Sequence, residues 1–185
     1  QAWWEHQPVR VPRARSWADL NITRAMQWGA LAKFHVLDTR QYRSDQACGD
    51  GTRDVPCGDR EKPERTLMGP AQEKWLADGM AASKQQWQVL ANQTRVAPLD
   101  TKPGPGQAFH MDGWGGYPGA LARLMKTVGE RAVNRTVVIT GDVHSNWVNE
   151  LRTDFERPDA KQVGVELVGT SISSDGDGFA QSPQW

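Results

Sequence analysis

Thr136-Val137-Val138-Ile139-Thr140-Gly141-Asp142-Val143-His144-Ser145 is the stretch that decides how this chain is read. Five strand-forming residues in a row predict a core strand. Gly141 stops it and lets the backbone turn sharply. Asp142 and His144 stand two apart on a nearly extended segment, so both can face one side and converge on one cation. A carboxylate oxygen and an imidazole nitrogen suit the hard or borderline metals of hydrolytic centres. The plainer alternative makes Asp142 a turn cap and His144 a hydrogen-bonded core residue. The apolar strand immediately upstream favours the metal reading.

Working outward, Ala32 to Asp38 alternates apolar and polar before Thr39-Arg40, as a core strand ending at a polar edge does. Trp87 to Ala91 reads as a buried strand, and Val163 to Val168 as a final one before Gly169-Thr170-Ser171. Between them, Gly69-Pro70 opens a helix with Trp75, Leu76, Met80 and Ser83 on one face. Tyr117 to Glu130 is a second helix, presenting Leu121, Leu124, Met125 and Val128. Trp17 to Leu31 reads as irregular-to-helical approach structure. Ser44 to Arg65 and Pro98 to His110 are Pro/Gly-rich loops, the first almost devoid of apolar residues; long loops in compact domains are commonly functional. Strands alternating with helices indicate a layered α/β protein, in which polar residues beyond the carboxyl ends of the strands form the site. That rule selects Asp38 to Arg43, Asn92-Gln93, Asp142 to His144, and Thr170 to Ser174.

With 185 residues the chain accommodates one domain with a sizeable core. Its 22 basic residues balance 22 acidic ones, so no bulk field recruits nucleic acid or an anionic membrane, and no specific nucleic-acid partner is expected. No apolar run approaches the ~20 residues of a membrane span. The opening, Gln1 to Arg10, lacks an initiator Met and is not a signal peptide, and it reads as the interior of a longer protein or a processed product. Nine tryptophans are many for this length; core anchoring is the main reading, a stacking surface the sharper one. Cys48 and Cys57, with eight residues between them in CGDGTRDVPC, can close a small loop as a disulfide, which fits an exported protein. A two-thiolate metal site is the weaker alternative, since no CxxC spacing or His cluster stands nearby. Asp38, Arg40 and Arg43 suit either a phosphate clamp or an ion-paired scaffold, because the planar guanidinium matches phosphate oxygens bidentately.

LDTRQYRSDQACGDG, TLMGPAQEKWLADGMAASKQQWQVLANQ, DGWGGYPGALARLM, VVITGDVHSNWVNEL and VELVGTSISSDG occur in this order. Together they resemble the run of motifs through the latter half of the alkaline phosphatase D (PhoD) family, and they cover nearly the whole chain. The resemblance implies a metallophosphoesterase fold of the purple-acid-phosphatase type, a β-sandwich flanked by helices with metals at strand ends. Residues 1–185 would then be a single, partial catalytic domain. It further implies hydrolysis of small phosphomonoesters and phosphodiesters with calcium and iron at the site, and a secreted or periplasmic setting, often reached by the twin-arginine route. Asp142 and His144 fall on the family's GDxH metal motif, with His144 holding a metal or protonating the leaving alkoxide. Asp38, Arg40 and Arg43 fall on its DTRxxR element, where substrate binding is expected, with Arg40 neutralising phosphate charge. Asn92 and Gln93 match an amide pair at the neighbouring strand end. Gly115 stands where many relatives carry Asp or Asn. The family's N-terminal metal motifs, a GDYxYE-like and a DDHE-like segment, do not occur in the chain, nor does the tail that follows the SISS segment. Two alternatives stay open: phospholipase D-type phosphodiesterase specificity, and a catalytically inert fragment or Trp-rich binding module.

Overall fold

A six-stranded sheet in the order β1-β2-β4-β6-β8-β7 forms the framework. Its strands are β1 (Arg24–Trp28), β2 (Ala32–Val36), β4 (Trp87–Ala91), β6 (Thr136–Thr140), β7 (Trp147–Arg152) and β8 (Gln162–Val168). The computed structural model describes residues 2–8, 10–132 and 135–177, except the side chain of residue 3. Strands β2, β4, β6 and β8 run parallel, and β1 and β7 close the two edges antiparallel. The four parallel strands are the four that apolar patterning predicts, so all four predicted strand-end segments emerge along one side of the sheet. A separate two-stranded antiparallel sheet pairs β3 (Thr52–Val55) with β5 (Gln107–His110).

The helices are α1 (Ala2–His6), α2 (Pro70–Ala81) and α3 (Pro118–Arg131). Both longer ones begin with proline at the first helical turn, where its missing N–H costs nothing. Leu76 and Met80 of α2 meet Leu121, Leu124, Met125 and Val128 of α3 over Leu90 and Val138 of the sheet. Arg123 of α3 clamps both carboxylate oxygens of Glu73 at 2.7 and 2.9 Å, tying the helices together. Buried His35 of β2 packs edge-on against Trp75, and its Nε2 pairs with Gln88 Oε1 at 3.0 Å.

The opposite face of the sheet carries no helix among the described residues. Pairing register aligns Met26, Phe34, Val89, Val137 and Val165 in one cross-strand row, and Val36, Ala91, Ile139, Leu167 and Val148 in the next. Val148 is 80% exposed and Leu167 44%. A continuous apolar surface of this kind is what a sheet presents to another layer. The second sheet of a sandwich is not among the described residues.

Several sequence expectations need correction. Residues 24–28, read as irregular-to-helical, form the edge strand β1, set by pairing with β2 rather than by local propensity. Both Pro/Gly-rich loops contribute a strand to the two-stranded sheet, β3 and β5, and the first loop is less exposed than its composition suggests. Arg60 and Arg65 within it are buried, stacked on Phe109 and Tyr117. Among the described tryptophans, Trp114 is buried in the core and Trp75 packs against it, whereas Trp28 is 72% exposed and Trp87 38%. Trp185 lies outside the described residues.

Candidate active site

The connection from β6 to β7 has an unusual task. Sheet order places β8 between these two strands, so residues 141–146 must arch over the end of β8, a span of about 10 Å at ordinary strand spacing. A short connection achieves this with two non-glycine residues in left-handed backbone, Asp142 (φ 77°) and His144 (φ 52°). That geometry costs of order 1 kcal/mol per residue and is held only where the surroundings impose it. Here the exit of β8 supplies the restraint. Thr170 Oγ1 donates to the His144 carbonyl at 2.8 Å, Thr170 N–H donates to Asn146 Oδ1 at 3.0 Å, and Asp177 N–H donates to the His144 carbonyl at 2.9 Å.

Asp177 also accepts from His144 Nδ1 at 3.0 Å. A carboxylate only accepts, so Nδ1 carries the proton and Nε2 keeps its lone pair for a cation or a proton. The His144 side chain is 51% exposed. Asp142 and His144 line a cleft of about 840 Å³ whose other walls come from the two-stranded β3–β5 sheet (Thr52, Phe109, His110), the segment after β4 (Thr94, Arg95) and the start of β7 (Trp147). The Cys48–Cys57 disulfide links the segments on either side of β3.

The other sequence candidates stand behind this cleft rather than in its lining. Asp38 is buried, and its carboxylate accepts the N–H groups of Arg40 and Gln41 at 2.9 and 3.1 Å, shaping the turn after β2. Gln93 accepts from Thr39 N and Oγ1 and donates to the Leu37 carbonyl, locking that same turn to the end of β4. Arg40 and Arg43 both spend their charge on Asp112, at 2.5 and 2.6 Å. Of the two sequence readings of this pair, the ion-paired scaffold is the one the side chains adopt. Asn92 Nδ2 donates to the Thr94 carbonyl, while its buried Oδ1 has no partner among the described residues.

Sequence reasoning passed over three contributors. Asp112 organises both arginines. Glu166, fully buried in β8, accepts the N–H groups of Val96 and Ala97 and the Asn149 side chain, fixing the 94–97 wall. A carboxylate inside the apolar run VGVELV was the available signal, since unpaired glutamate is almost never buried. Arg95, stacked on Trp147, carries no spacing signal at all.

This arrangement has relatives. A family model described as PhoD-like phosphatase matches residues 1–184. The chain belongs to that family. It is 41% identical to alkaline phosphatase D of Bacillus subtilis (strain 168) over 178 residues, covering 96% of this chain and 30% of that protein. A solved structure titled "Structure of PhoD" superposes with a TM-score of 0.88 at 41% identity, covering 96% of this chain and 34% of that one. The chain therefore spans about a third of the length of these relatives. Its mixed α/β fold is the one found in PhoD.

Proposed function

We propose that this chain forms one wall of the active site of a metal-dependent phosphoester hydrolase of the PhoD type. The observation that carries this is the arch over β8. It holds Asp142 and His144 in left-handed backbone at the edge of a cleft, with His144 Nε2 left available by the Asp177 hydrogen bond. A carboxylate oxygen, an imidazole nitrogen and the unpartnered Asn92 amide oxygen are donors that suit a hard or borderline cation. Asp142 and His144 would hold such an ion, with Asn92 the nearest further candidate in the sheet order. When bound, the ion would polarise a phosphoryl oxygen and lower the pKa of a ligated water. Calcium and iron are the metals the family resemblance suggests. The described residues contain no group of three His, Cys, Asp or Glu able to hold an ion, so the remaining donors belong to other parts of the parent protein. The same parts would supply the second layer over the apolar face, completing the sandwich around this partial domain. The substrate is a small phosphomonoester or phosphodiester, and the oxidised Cys48–Cys57 pair suits a secreted or periplasmic location. No described helix is long and apolar enough to cross a membrane.

The test is hydrolysis of p-nitrophenyl phosphate and of its bis-ester at alkaline pH, with and without calcium and iron. It is run on the full-length parent and on this chain. Activity in the parent alone supports the reading; an inactive parent under every metal condition ends it. For the isolated chain, the incomplete donor set favours a second reading, an inert fragment that keeps the fold.

A further inference from the structure

Arg95 is the one cleft-lining arginine among the described residues, and its situation differs from that of its neighbours. Arg40 and Arg43 are neutralised by Asp112. Arg60 and Arg65 contact Glu61 and Asp59. Arg95 makes no ion pair and no hydrogen bond among the described residues, and its Nε is buried without a partner. Its guanidinium lies 5.1 Å from the Trp147 ring centroid, and the indole itself is held by a 2.8 Å hydrogen bond from Nε1 to Ser145 Oγ. Burial lowers the arginine's pKa, and the charge of Glu166 offsets part of that. Glu166 cannot act as a contact partner, because its two oxygens are taken by Val96, Ala97 and Asn149.

A stacked, partly desolvated guanidinium with free donors, opening on a cleft that also holds Asp142 and His144, is half of an ion pair. Stacking fixes its plane, so little further order is lost when a planar pair of oxygens docks against its fork. An exposed lysine would offer charge without that preparation. We infer that Arg95, with Trp147 as its platform, binds the non-bridging oxygens of the substrate's phosphate group and those of the phosphate product. This rests on the phosphoester reading of the same cleft, and it transfers to Arg95 the role that the family resemblance suggests for Arg40.

The experiment compares the full-length protein with its Arg95→Met and Arg95→Lys variants. Methionine keeps an unbranched chain over the indole but removes the charge. Calorimetry measures the binding of inorganic phosphate, and kinetics measure the KM for p-nitrophenyl phosphate. A charge-assisted contact of this kind predicts a roughly tenfold to hundredfold loss of phosphate affinity in Arg95→Met, with partial recovery in Arg95→Lys. Its thermal melt should stay close to that of the parent. Equal affinities in parent and Arg95→Met overturn the assignment. Should Arg95→Met fail to fold, phenylglyoxal modification of the unaltered protein, mapped by peptide mass spectrometry, decides instead. Phosphate should protect Arg95, and an unchanged modification rate overturns the proposal. A parent that hydrolyses esters while Arg95→Met binds phosphate normally removes only the role of Arg95. A parent that binds phosphate through Arg95 but hydrolyses nothing removes only the catalytic reading.

Discussion

Arg40, in the turn after β2, and Asp112, in the turn after β5, are joined by a 2.5 Å Nη1–Oδ2 ion pair across 72 residues of chain. Arg43 takes the other carboxylate oxygen at 2.6 Å. This double pairing ties the two-stranded β3–β5 sheet to the end of the main sheet, so it is scaffold before it is chemistry. Burial alone would raise the Asp112 carboxyl, but the hydrogen bonds from Arg40 and Arg43 outweigh it and hold the group below its ordinary range. With a depressed folded pKa, the contribution is present above the unfolded value near 3.9 and is lost as pH falls through the folded one. Asp112→Asn should cost about 1–2 kcal/mol at pH 7, a modest figure because the pair is partly exposed. Urea melts of the full-length protein measure this. The gap between parent and variant should close in strong acid, and a gap independent of pH would mean that charge is not what Asp112 contributes.

His144 and Asp177 should be separable by degree. In the full-length protein His144→Ala is expected to lower phosphoester turnover by about a hundredfold or more, with the fold retained, because it removes a group of the proposed reacting centre. Asp177→Asn still permits a hydrogen bond to the ring but no longer enforces the tautomer, and a loss of about tenfold is expected. Steady-state kinetics on both variants check the order. Near-parental turnover in His144→Ala would contradict the proposed site.

His35 makes a second pH prediction, independent of catalysis. Desolvation lowers its pKa, with the Gln88 hydrogen bond opposing and Lys33 assisting, and its buried Nδ1 lacks a partner. The unfolded chain therefore binds a proton below about pH 6.5 that the folded chain refuses. Stability should fall as pH drops from 6.5 towards the folded pKa, at up to about 1.4 kcal/mol per pH unit. Thermal melts between pH 8 and 5 should show this slope, and His35→Gln should flatten it. Parallel slopes in both proteins would assign the acid sensitivity elsewhere.

The apolar face of the sheet carries a prediction of its own. Val148→Asp places a charge on a residue that is 80% exposed here, so the isolated chain should change stability by no more than about 0.5 kcal/mol. It should also self-associate less in sedimentation experiments. If another layer covers that face in the full-length protein, the same substitution buries an unpaired charge and should cost about 3 kcal/mol or more. Equal effects in both contexts would leave the face without a covering layer.

The parallel half of the fold was legible because β4, β6 and β8 are short apolar runs with clear stops, and β2 alternates cleanly. Their order along the chain became their order across the sheet. Strands β1 and β7 were not legible. RAMQW and WVNELR carry little strand pattern, and both are edges defined by what they pair with. Asp142 and His144 could be singled out because a carboxylate and an imidazole two residues apart follow directly on the clearest strand. The DTRxxR arginines show the limit of local spacing: two guanidiniums matched to a phosphate are equally matched to a carboxylate, and Asp112 lies too far along the chain to be seen as the partner. Arg95 was invisible for the opposite reason, since its distinction is the absence of a partner, which exists only in three dimensions.

Because β7 comes before β8 in the chain yet lies outside it in the sheet, β8 must enter a gap whose two sides are earlier in the sequence. Until it does, the Asp142–His144 arch has nothing beneath it, and Thr170 and Asp177 are not there to hold its shape. The strand acts as a keystone. A partially assembled molecule would keep both long helices and most of its sheet while the arch carrying Asp142 and His144 had no fixed shape, so the order of that arch reports the seating of one strand more faithfully than helical content does.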